Sequence, residues 1–217
     1  MRRFLVIALL IASISAAQNP GKHPISGRQI AGVMGFEGAA WLERPEREQE
    51  ESVTTAIEAL DLKPGMVVAD VGAGTGYYTI RMAKKVGPTG KVYANDIQQE
   101  MLDLLAKRKA ENVIPVLGTI DDPKLPKACC DLIIMVDVYH ELSQPQKMLR
   151  RMREELKPDG RLVLVEYRAE DPKVPIKPEH KMSVAVAKLE VEAEGFKFET
   201  SIEKLPWQHI IVFRPAK

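Results

Sequence analysis

Short, nearly continuous apolar runs alternate with amphipathic stretches along most of this chain. The runs span residues 66–71, 113–117, 132–136 and 162–165. Such runs are typical of strands buried on both faces of a parallel sheet, and the stretches between them have helical periodicity. The pattern predicts an α/β fold: a single Rossmann-like, doubly wound sheet, mostly parallel, with helices on both faces.

Three of the amphipathic stretches carry an apolar helical face. These faces comprise Val53, Ile57 and Leu60, then Met101, Leu104 and Leu105, then Met148, Met152 and Leu156. Near the end of the chain, residues 195–198 alternate and residues 209–213 are apolar, with Pro206 between them. Their short separation predicts an antiparallel strand pair at the end of the sheet.

The first apolar run leads into a glycine-rich turn. Asp70 lies near the end of the run, and Gly72, Gly74 and Gly76 follow it. A ligand can approach bare backbone closely where no Cβ intrudes. A dinucleotide fingerprint would need a third glycine at position 77, where Tyr77 stands, and this disfavours a nicotinamide-dependent oxidoreductase.

A second acid lies at the end of the next predicted strand. The segment Lys91–Asp96 reads as a strand that ends in a carboxylate, about twenty residues after the glycine turn. An acid in this place accepts hydrogen bonds from the ribose hydroxyls of a nucleoside ligand. Because ligands of such sheets bind beyond the carboxyl ends of the strands, we expect Asp96 and the glycines to converge there.

From about residue 64 to residue 213 the chain resembles the class I S-adenosylmethionine-dependent methyltransferases, near their ubiquinone/menaquinone-type branch. The resemblance implies S-adenosylmethionine as the cofactor, with the three glycines close to its methionine part. It implies that Asp70 orients that part and that Asp96 holds the ribose. Tyr77, Ile97 and Asp137 are expected beside the cofactor, and Tyr78 is expected either there or in the core.

The loop after the third predicted strand is similar to the family's adenine-binding loop. An acid there usually receives the adenine amino group. The usual position is occupied by Thr119, so the resemblance implies that Asp121 or Asp122 serves instead, and the choice between them is open.

Candidates for proton removal lie just past the fourth strand. His140 is predicted as the base, because its ordinary pKa suits one near neutrality; alternatively it caps the strand or touches the adenosine. Tyr139 could orient the acceptor or simply pack. Glu166, at the end of the fifth strand, could face the acceptor or pair with an arginine or lysine.

The turn at residues 137–140 lacks the Asp/Asn-Pro-Pro-aromatic sequence typical of enzymes that methylate amino groups of nucleic acids. This argues against a DNA base or a glutamine amide as the acceptor. The net charge of +1 gives no general attraction to nucleic acid or to anionic membranes. A small organic acceptor, methylated on oxygen or carbon, is therefore expected, while oligomeric state is not predictable.

Four segments carry further expectations. Residues 18–47 are predicted to form an N-terminal arm or lid, and residues 48–217 the methyltransferase domain. Residues 43–51 read as the solvated start of a helix. The proline-rich loop at 169–180 is predicted to form one wall of the acceptor pocket, with His180, Lys181 and Met182 at its end.

The first seventeen residues have the order of a signal peptide: two arginines, an apolar run and small residues. The run is short for a permanent membrane span. We therefore expect cleavage after Ala17 and export to the periplasm or beyond, or a cytoplasmic location if the signal is not functional. Cys129 and Cys130 are expected as free thiols, and no histidine or cysteine spacing indicates a metal site.

Two functions of different kinds fit this pattern. The first is an S-adenosylmethionine-dependent methyltransferase. The second is a non-catalytic, exported protein that binds S-adenosylmethionine or S-adenosylhomocysteine without turnover. The completeness of the acceptor side distinguishes them, and His140, Tyr139 and Glu166 favour the enzyme.

Overall fold

The computed structural model describes residues 21–216, and the predicted signal peptide lies outside them. The described residues form an eight-stranded sheet and seven α-helices. The strands are β1 (Val67–Val71), β2 (Lys91–Asp96), β3 (Val113–Leu117), β4 (Cys130–Val136), β5 (Leu156–Arg168), β6 (Lys181–Met182), β7 (Phe196–Ile202) and β8 (Gln208–Pro215). The helices are α1 (Ala39–Leu42), α2 (Arg47–Glu51), α3 (Val53–Ala59), α4 (Tyr77–Val86), α5 (Gln99–Ala106), α6 (Pro145–Glu155) and α7 (Val184–Glu192).

The order of strands across the sheet is β3-β2-β1-β4-β5-β8-β7, and the short β6 pairs with the end of β5. Strands β1 to β5 pair in parallel, whereas β8 runs antiparallel to both β5 and β7. The doubly wound sheet with an antiparallel C-terminal pair is therefore confirmed.

Neighbouring residues of the central strands belong to different apolar clusters. Ala69 and Ile133 lie in a cluster with α6 and α7, whereas Val68 and Leu132 lie in a cluster with α3 and α4. Because successive strand side chains point to opposite faces, the two clusters cover the two faces of the sheet. Helices on both faces are confirmed, and the strand core is closed to water on each side.

Two predictions about burial are wrong in detail. Strand β3 is only partly buried, and Leu117 is 45% exposed, because β3 is an edge strand that pairs with β2 alone. In α5, Leu102 rather than Leu104 joins Met101 and Leu105 in the interior. The other two apolar faces are buried as expected, although Leu156 already belongs to β5.

The parallel strands β1, β2, β4 and β5 end at the same edge of the sheet, so the loops that follow them meet there. This convergence positions the candidate site. Within residues 21–216, no helix combines the length and the apolar character that a membrane crossing requires.

Candidate active site

A cavity of about 550 Å³ opens at this edge of the sheet. Its lining includes Gly72, Gly74 and Asp96, and it also includes His140 and His180. The volume lies in the range of small-molecule sites. The residues predicted for the cofactor and for the acceptor therefore meet around one space, although several of them lie behind its wall.

The glycine turn has no room for side chains. At Gly72, with a φ of 77°, a Cβ would lie 2.4 Å from Cγ2 of Val138. At Gly74 a Cβ would lie 2.8 Å from Cδ1 of Leu42. The two glycines thus let bare backbone form the cavity wall, as the approach of a ligand requires. Gly76 instead packs on Leu105 at the start of α4, outside the cavity lining.

Asp96 joins the glycine turn to the end of β2. Its Oδ2 accepts a hydrogen bond of 2.9 Å from the N–H of Gly74, and its Oδ1 accepts one of 2.9 Å from the N–H of Gln98. Burial raises the pKa of Asp96, and these backbone donors oppose the rise. A carboxylate has about four acceptor sites, so these donors leave capacity for ribose hydroxyls. Ile97 lies beside it in the cavity wall.

Asp70 lies behind the turn rather than in the cavity lining. Its Oδ2 accepts a hydrogen bond of 2.6 Å from the hydroxyl of Thr79. Burial, with a smaller contribution from the charge of Asp96, raises its pKa to about 6. Asp70 thus fixes the start of α4 from below, and its predicted role in orienting the cofactor stays a prediction.

The two tyrosines after the glycines do not line the cavity. The guanidinium groups of Arg81 and Arg47 lie 3.8 Å and 4.5 Å from the centroid of the Tyr77 ring. Tyr78 is buried in the cluster with α3 and α4. For Tyr78 the structure therefore bears out the alternative that it belongs to the core. The expectation that Tyr77 lies beside the cofactor is not met in this cavity, because its ring packs on the guanidinium groups of Arg47 and Arg81.

Both acids of the predicted adenine loop lie outside the main cavity. Asp121 accepts a hydrogen bond from Thr119, and Asp122 accepts one from the N–H of Lys124. These contacts hold the two carboxylates in a separate surface recess lined with basic residues of α6. From this loop, Ile120 reaches the main cavity. The structure does not bring either acid to the site, and a role for one of them at adenine stays a prediction.

Asp137 lines the cavity directly after β4 and has a left-handed backbone, with a φ of 54°. A non-glycine residue in this region carries strain, which is characteristic of functional sites. Gln208 donates a hydrogen bond of 2.7 Å to its Oδ2, whereas Oδ1 has no partner among the described residues. Burial and the charges of Glu51 and Glu166 raise the pKa of Asp137 well above its usual range.

The acceptor candidates form a chain of contacts. Oε2 of Glu166 lies 2.6 Å from Nδ1 of His140, and Nε2 of His140 lies 3.1 Å from Nδ1 of His180. Oε1 of Glu166 accepts the N–H of Tyr139 at 2.9 Å. Glu166 is fully buried and does not line the cavity, so the expectation that it faces the acceptor is not met. Within residues 21–216 it forms no ion pair with an arginine or lysine, and its partner is His140 instead. The ring of Tyr139 is buried in the core and does not line the cavity.

The pKa values of His140, His180 and Glu141 are shifted in different directions. Burial would lower the pKa of His140, but the charge of Glu166 and their hydrogen bond outweigh burial and raise it. Burial and the nearby His140 lower the pKa of His180. Burial raises the pKa of Glu141, the residue after His140, to about 7. Glu141 and His180 line the cavity with His140, although no sequence pattern singles out Glu141.

A buried charged cluster lies beside Asp137. Glu51 accepts hydrogen bonds of 2.7 Å from both Arg44 and Arg47, and one of 3.0 Å from the hydroxyl of Tyr167. Glu51 and Arg47 are buried, so the expectation of a wholly solvated helix start at 43–51 is wrong for them. The spacing of Arg47 and Glu51, four residues apart on a helix, was the available signal. Arg47 and Tyr167 also line the cavity.

Residues of the predicted N-terminal arm or lid and of the proline-rich loop reach the cavity, and the roles predicted for these segments stay predictions. Gly32, Val33, Met34 and Trp41 of the N-terminal segment line the cavity, as do Pro175, Ile176 and Lys177 of the proline-rich loop. His180 ends that loop in the cavity, as expected. Lys181 and Met182 do not line it: Lys181 donates to backbone carbonyls of the loop, and Met182 is buried.

Comparisons with known proteins agree with this geometry. The family model described as a methyltransferase domain matches residues 62–209. A crystal structure of an S-adenosylmethionine-dependent methyltransferase from Aquifex aeolicus superposes with a TM-score of 0.79 at 28% identity, covering 85% of this chain and all of that one.

Curated relatives match over a shorter stretch. The ubiquinone/menaquinone biosynthesis C-methyltransferase UbiE of Ectopseudomonas mendocina is 34% identical over 116 residues, which is 51% of this chain and 45% of that protein. An uncharacterized 37.1 kDa protein of a Streptomyces fradiae transposon is 35% identical over 113 residues, or 51% of this chain and 32% of that protein. The chain thus spans less than half the length of these two relatives.

The glycine cradle and Asp96 fit a nucleoside cofactor, and the family match covers the strands that carry them. The chain therefore belongs to the class I S-adenosylmethionine-dependent methyltransferases, near the UbiE branch.

Proposed function

We propose that this protein transfers a methyl group from S-adenosylmethionine to a small organic acceptor, on an oxygen or carbon atom, by in-line displacement. The observation that carries this proposal is the shared cavity, whose wall includes Gly72, Gly74 and Asp96 together with His140. A binding site for the cofactor alone would not need a buried imidazole held by a carboxylate.

When bound, S-adenosylmethionine supplies a methyl carbon on a sulfonium, whose leaving group is a neutral thioether. The protein therefore has no developing anion to stabilise on that side, and its tasks are alignment, exclusion of water and removal of the acceptor's proton. Asp96 and the glycine backbone align the cofactor. Val33 and Met34 close one side of the cavity with apolar surface. His140, oriented by Glu166, is the acceptor-side group.

Two observations bear on the acceptor. The UbiE relatives are named C-methyltransferases, which supports methylation on carbon. The cavity is bounded by Pro175 and Ile176 of the proline-rich loop and by the N-terminal segment, which suits a small molecule better than a polymer.

Incubation of cell extract with the purified protein and radiolabelled S-adenosylmethionine tests this function. We expect label in a small molecule, from the wild type and not from a His140→Ala control. Label in nucleic acid or protein would contradict the proposed acceptor class. Binding of S-adenosylhomocysteine with no labelled product in any extract fraction would favour the non-catalytic alternative.

We also propose that residues 1–17 direct export, on the basis of their charged, apolar and small-residue order. Fractionation of cells that express the full chain, followed by sequencing of the mature N-terminus, tests this. A periplasmic or secreted product beginning at Gln18 is expected. An uncleaved product that stays in the cytoplasm would contradict it.

A further inference from the structure

Three potential metal ligands converge in the cavity wall: His140, Glu141 and His180. Nε2 of His140 lies 3.1 Å from Nδ1 of His180, and Oε1 of Glu141 lies 3.8 Å and 3.9 Å from these two nitrogens. Ligand atoms of a tetrahedral zinc ion, bound at its usual distances, are about 3.4 Å apart. The three atoms therefore already stand close to the separations that one such ion requires.

Glu166 supplies the support that metal-binding histidines usually have. In proteins such histidines donate their other ring N–H to a carboxylate, which fixes the tautomer and strengthens the ligand. Nδ1 of His140 has this contact with Glu166. In the tautomer that donates to Glu166, Nε2 of His140 presents its lone pair to the space shared with His180 and Glu141.

The charges of the cluster favour a divalent cation. Glu141 and Glu166 bring two carboxylates to two imidazoles, and within residues 21–216 no lysine or arginine forms an ion pair with either carboxylate. The side chains of Glu141 and Glu166 are 14% and 0% exposed, so water compensates little of this charge. Lys177, also in the cavity wall, contributes a positive charge near His180.

The backbone around the ligands is held in place. His140 and Glu141 belong to the 3-10 turn Tyr139–Glu141, and His180 ends the turn Pro178–His180. The carbonyl of His140 accepts hydrogen bonds from the N–H of Ala31 and from the guanidinium of Arg28, both at 3.0 Å. Arg28 in turn pairs with the buried Glu190 of α7. The first turn is thus fixed by the N-terminal segment.

We propose that His140, Glu141 and His180 bind a zinc-like divalent metal ion whose fourth position opens into the cavity. Two histidines, one carboxylate and an open position form the donor set of catalytic rather than structural zinc sites. The histidine and cysteine spacing did not indicate this site, because the ligands come from turns forty residues apart.

The role of the ion rests on the proposed function and refines it. The open position would take the oxygen of an acceptor that carries an acidic hydroxyl, such as a phenol or an enol. Coordination lowers the pKa of a bound O–H group, and the proton leaves to solvent. His140 is then a ligand, and the metal ion, rather than a free imidazole, makes the acceptor nucleophilic. The acceptor class is therefore a small hydroxylated molecule with a conjugated ring or double bond.

Titration of metal-free protein with Co²⁺, followed by visible absorption and by calorimetry with Zn²⁺, tests the site without any need for turnover. We expect one equivalent bound, with tetrahedral cobalt bands and no thiolate charge transfer from Cys129 or Cys130. Glu166→Gln should weaken binding by about 10–100-fold. His180→Ala and Glu141→Gln should weaken it more, because each removes a direct ligand.

Glu179 precedes His180, is half-buried and is not one of the three ligands, so Glu179→Gln is the matched control and should keep a metal affinity far closer to the wild type than His180→Ala does. Circular dichroism and S-adenosylhomocysteine binding establish that each variant is folded. Wild-type affinity in His180→Ala and Glu141→Gln, or no stoichiometric metal in the wild type, would overturn the proposal. Binding of S-adenosylhomocysteine without binding of metal would refute this site and would not affect the proposed function. Metal binding without binding of S-adenosylhomocysteine would support this site and refute the proposed function.

Discussion

Nδ1 of His140 lies 2.6 Å from Oε2 of Glu166, and the side chains of the two residues are 2% and 0% exposed. One residue follows β4 and the other ends β5, so the parallel pairing of these strands brings them together. A buried imidazole without a partner would be costly, and the carboxylate both satisfies and orients it. The other ring nitrogen is thereby directed towards His180 in the cavity wall.

Replacement of His140 should lower turnover and leave cofactor binding almost unchanged. His140→Ala is expected to lower the turnover number by about 10²–10⁴-fold, the range for loss of a group that prepares the nucleophile. The dissociation constant of S-adenosylhomocysteine should change little, because Asp96 and the glycine turn remain. His23 is buried in the N-terminal segment and does not line the cavity, and His23→Gln supplies the control. Unaltered turnover in His140→Ala would assign it a structural role.

Asp96 should decide cofactor affinity. Asp96→Ala is expected to weaken S-adenosylhomocysteine binding by about 1–3 kcal/mol, because ribose hydroxyls and the N–H of Gly74 lose their acceptor. Asp103→Ala, on the exposed side of α5, is the matched control and should bind normally. Equal dissociation constants for Asp96→Ala and the wild type would mean that the ribose lies elsewhere.

Gly72 is predicted to be irreplaceable for steric as well as conformational reasons. Alanine at a positive φ costs about 1–2 kcal/mol by itself. Gly27 has a φ of 72°, close to the 77° of Gly72, and a Cβ there would meet nothing within 4 Å. Gly72→Ala should therefore lower the free energy of unfolding more than Gly27→Ala does, and it alone should weaken S-adenosylhomocysteine binding. Equal effects of the two substitutions in urea denaturation would contradict the packing described for this turn.

Glu155 gives a stability prediction that is independent of the site. Burial raises the pKa of this carboxyl to about 8, and its Oε2 has no partner among the described residues. The folded chain keeps a proton here that the unfolded chain releases near the ordinary pKa of 4.5. Stability therefore falls as pH rises from about 4.5 to about 8, and it is flat above that range for this group.

Glu155→Gln removes this titration. The free energy of unfolding of the variant, relative to the wild type, should increase between pH 5 and pH 8 by an amount on the order of a few kcal/mol. Urea denaturation at the two pH values measures it. Glu154→Gln, at the exposed neighbouring position, should show no such increase. A constant difference between Glu155→Gln and the wild type would contradict the raised pKa.

The sequence predicts best those elements that are specified by residues close together in the chain. The run through Asp70 into the glycines shows both a buried strand and a turn within ten residues, and β1 and α4 form there. Burial of β3 was overestimated because an apolar run does not say whether a strand has one neighbour or two. Its edge position follows from the order of strands, which depends on the whole chain.

The acceptor side could be predicted only in part. His140 and Glu166 were identified singly from the ends of their strands, but the contact between them depends on strand register. His180 joins them from a loop forty residues later, and Glu51 reaches Tyr167 across the fold. Periodicity records which face a side chain occupies and not which distant side chain it meets, so these pairings became visible only with the structure.

Calorimetric titration of the purified protein with S-adenosylhomocysteine and, separately, with NAD tests most directly whether the glycine turn and Asp96 form an adenosyl sulfonium site. One equivalent of S-adenosylhomocysteine should bind to the wild type and more weakly to Asp96→Ala, while NAD produces no heat of binding. Saturable binding of NAD, with no response to S-adenosylhomocysteine, would contradict it.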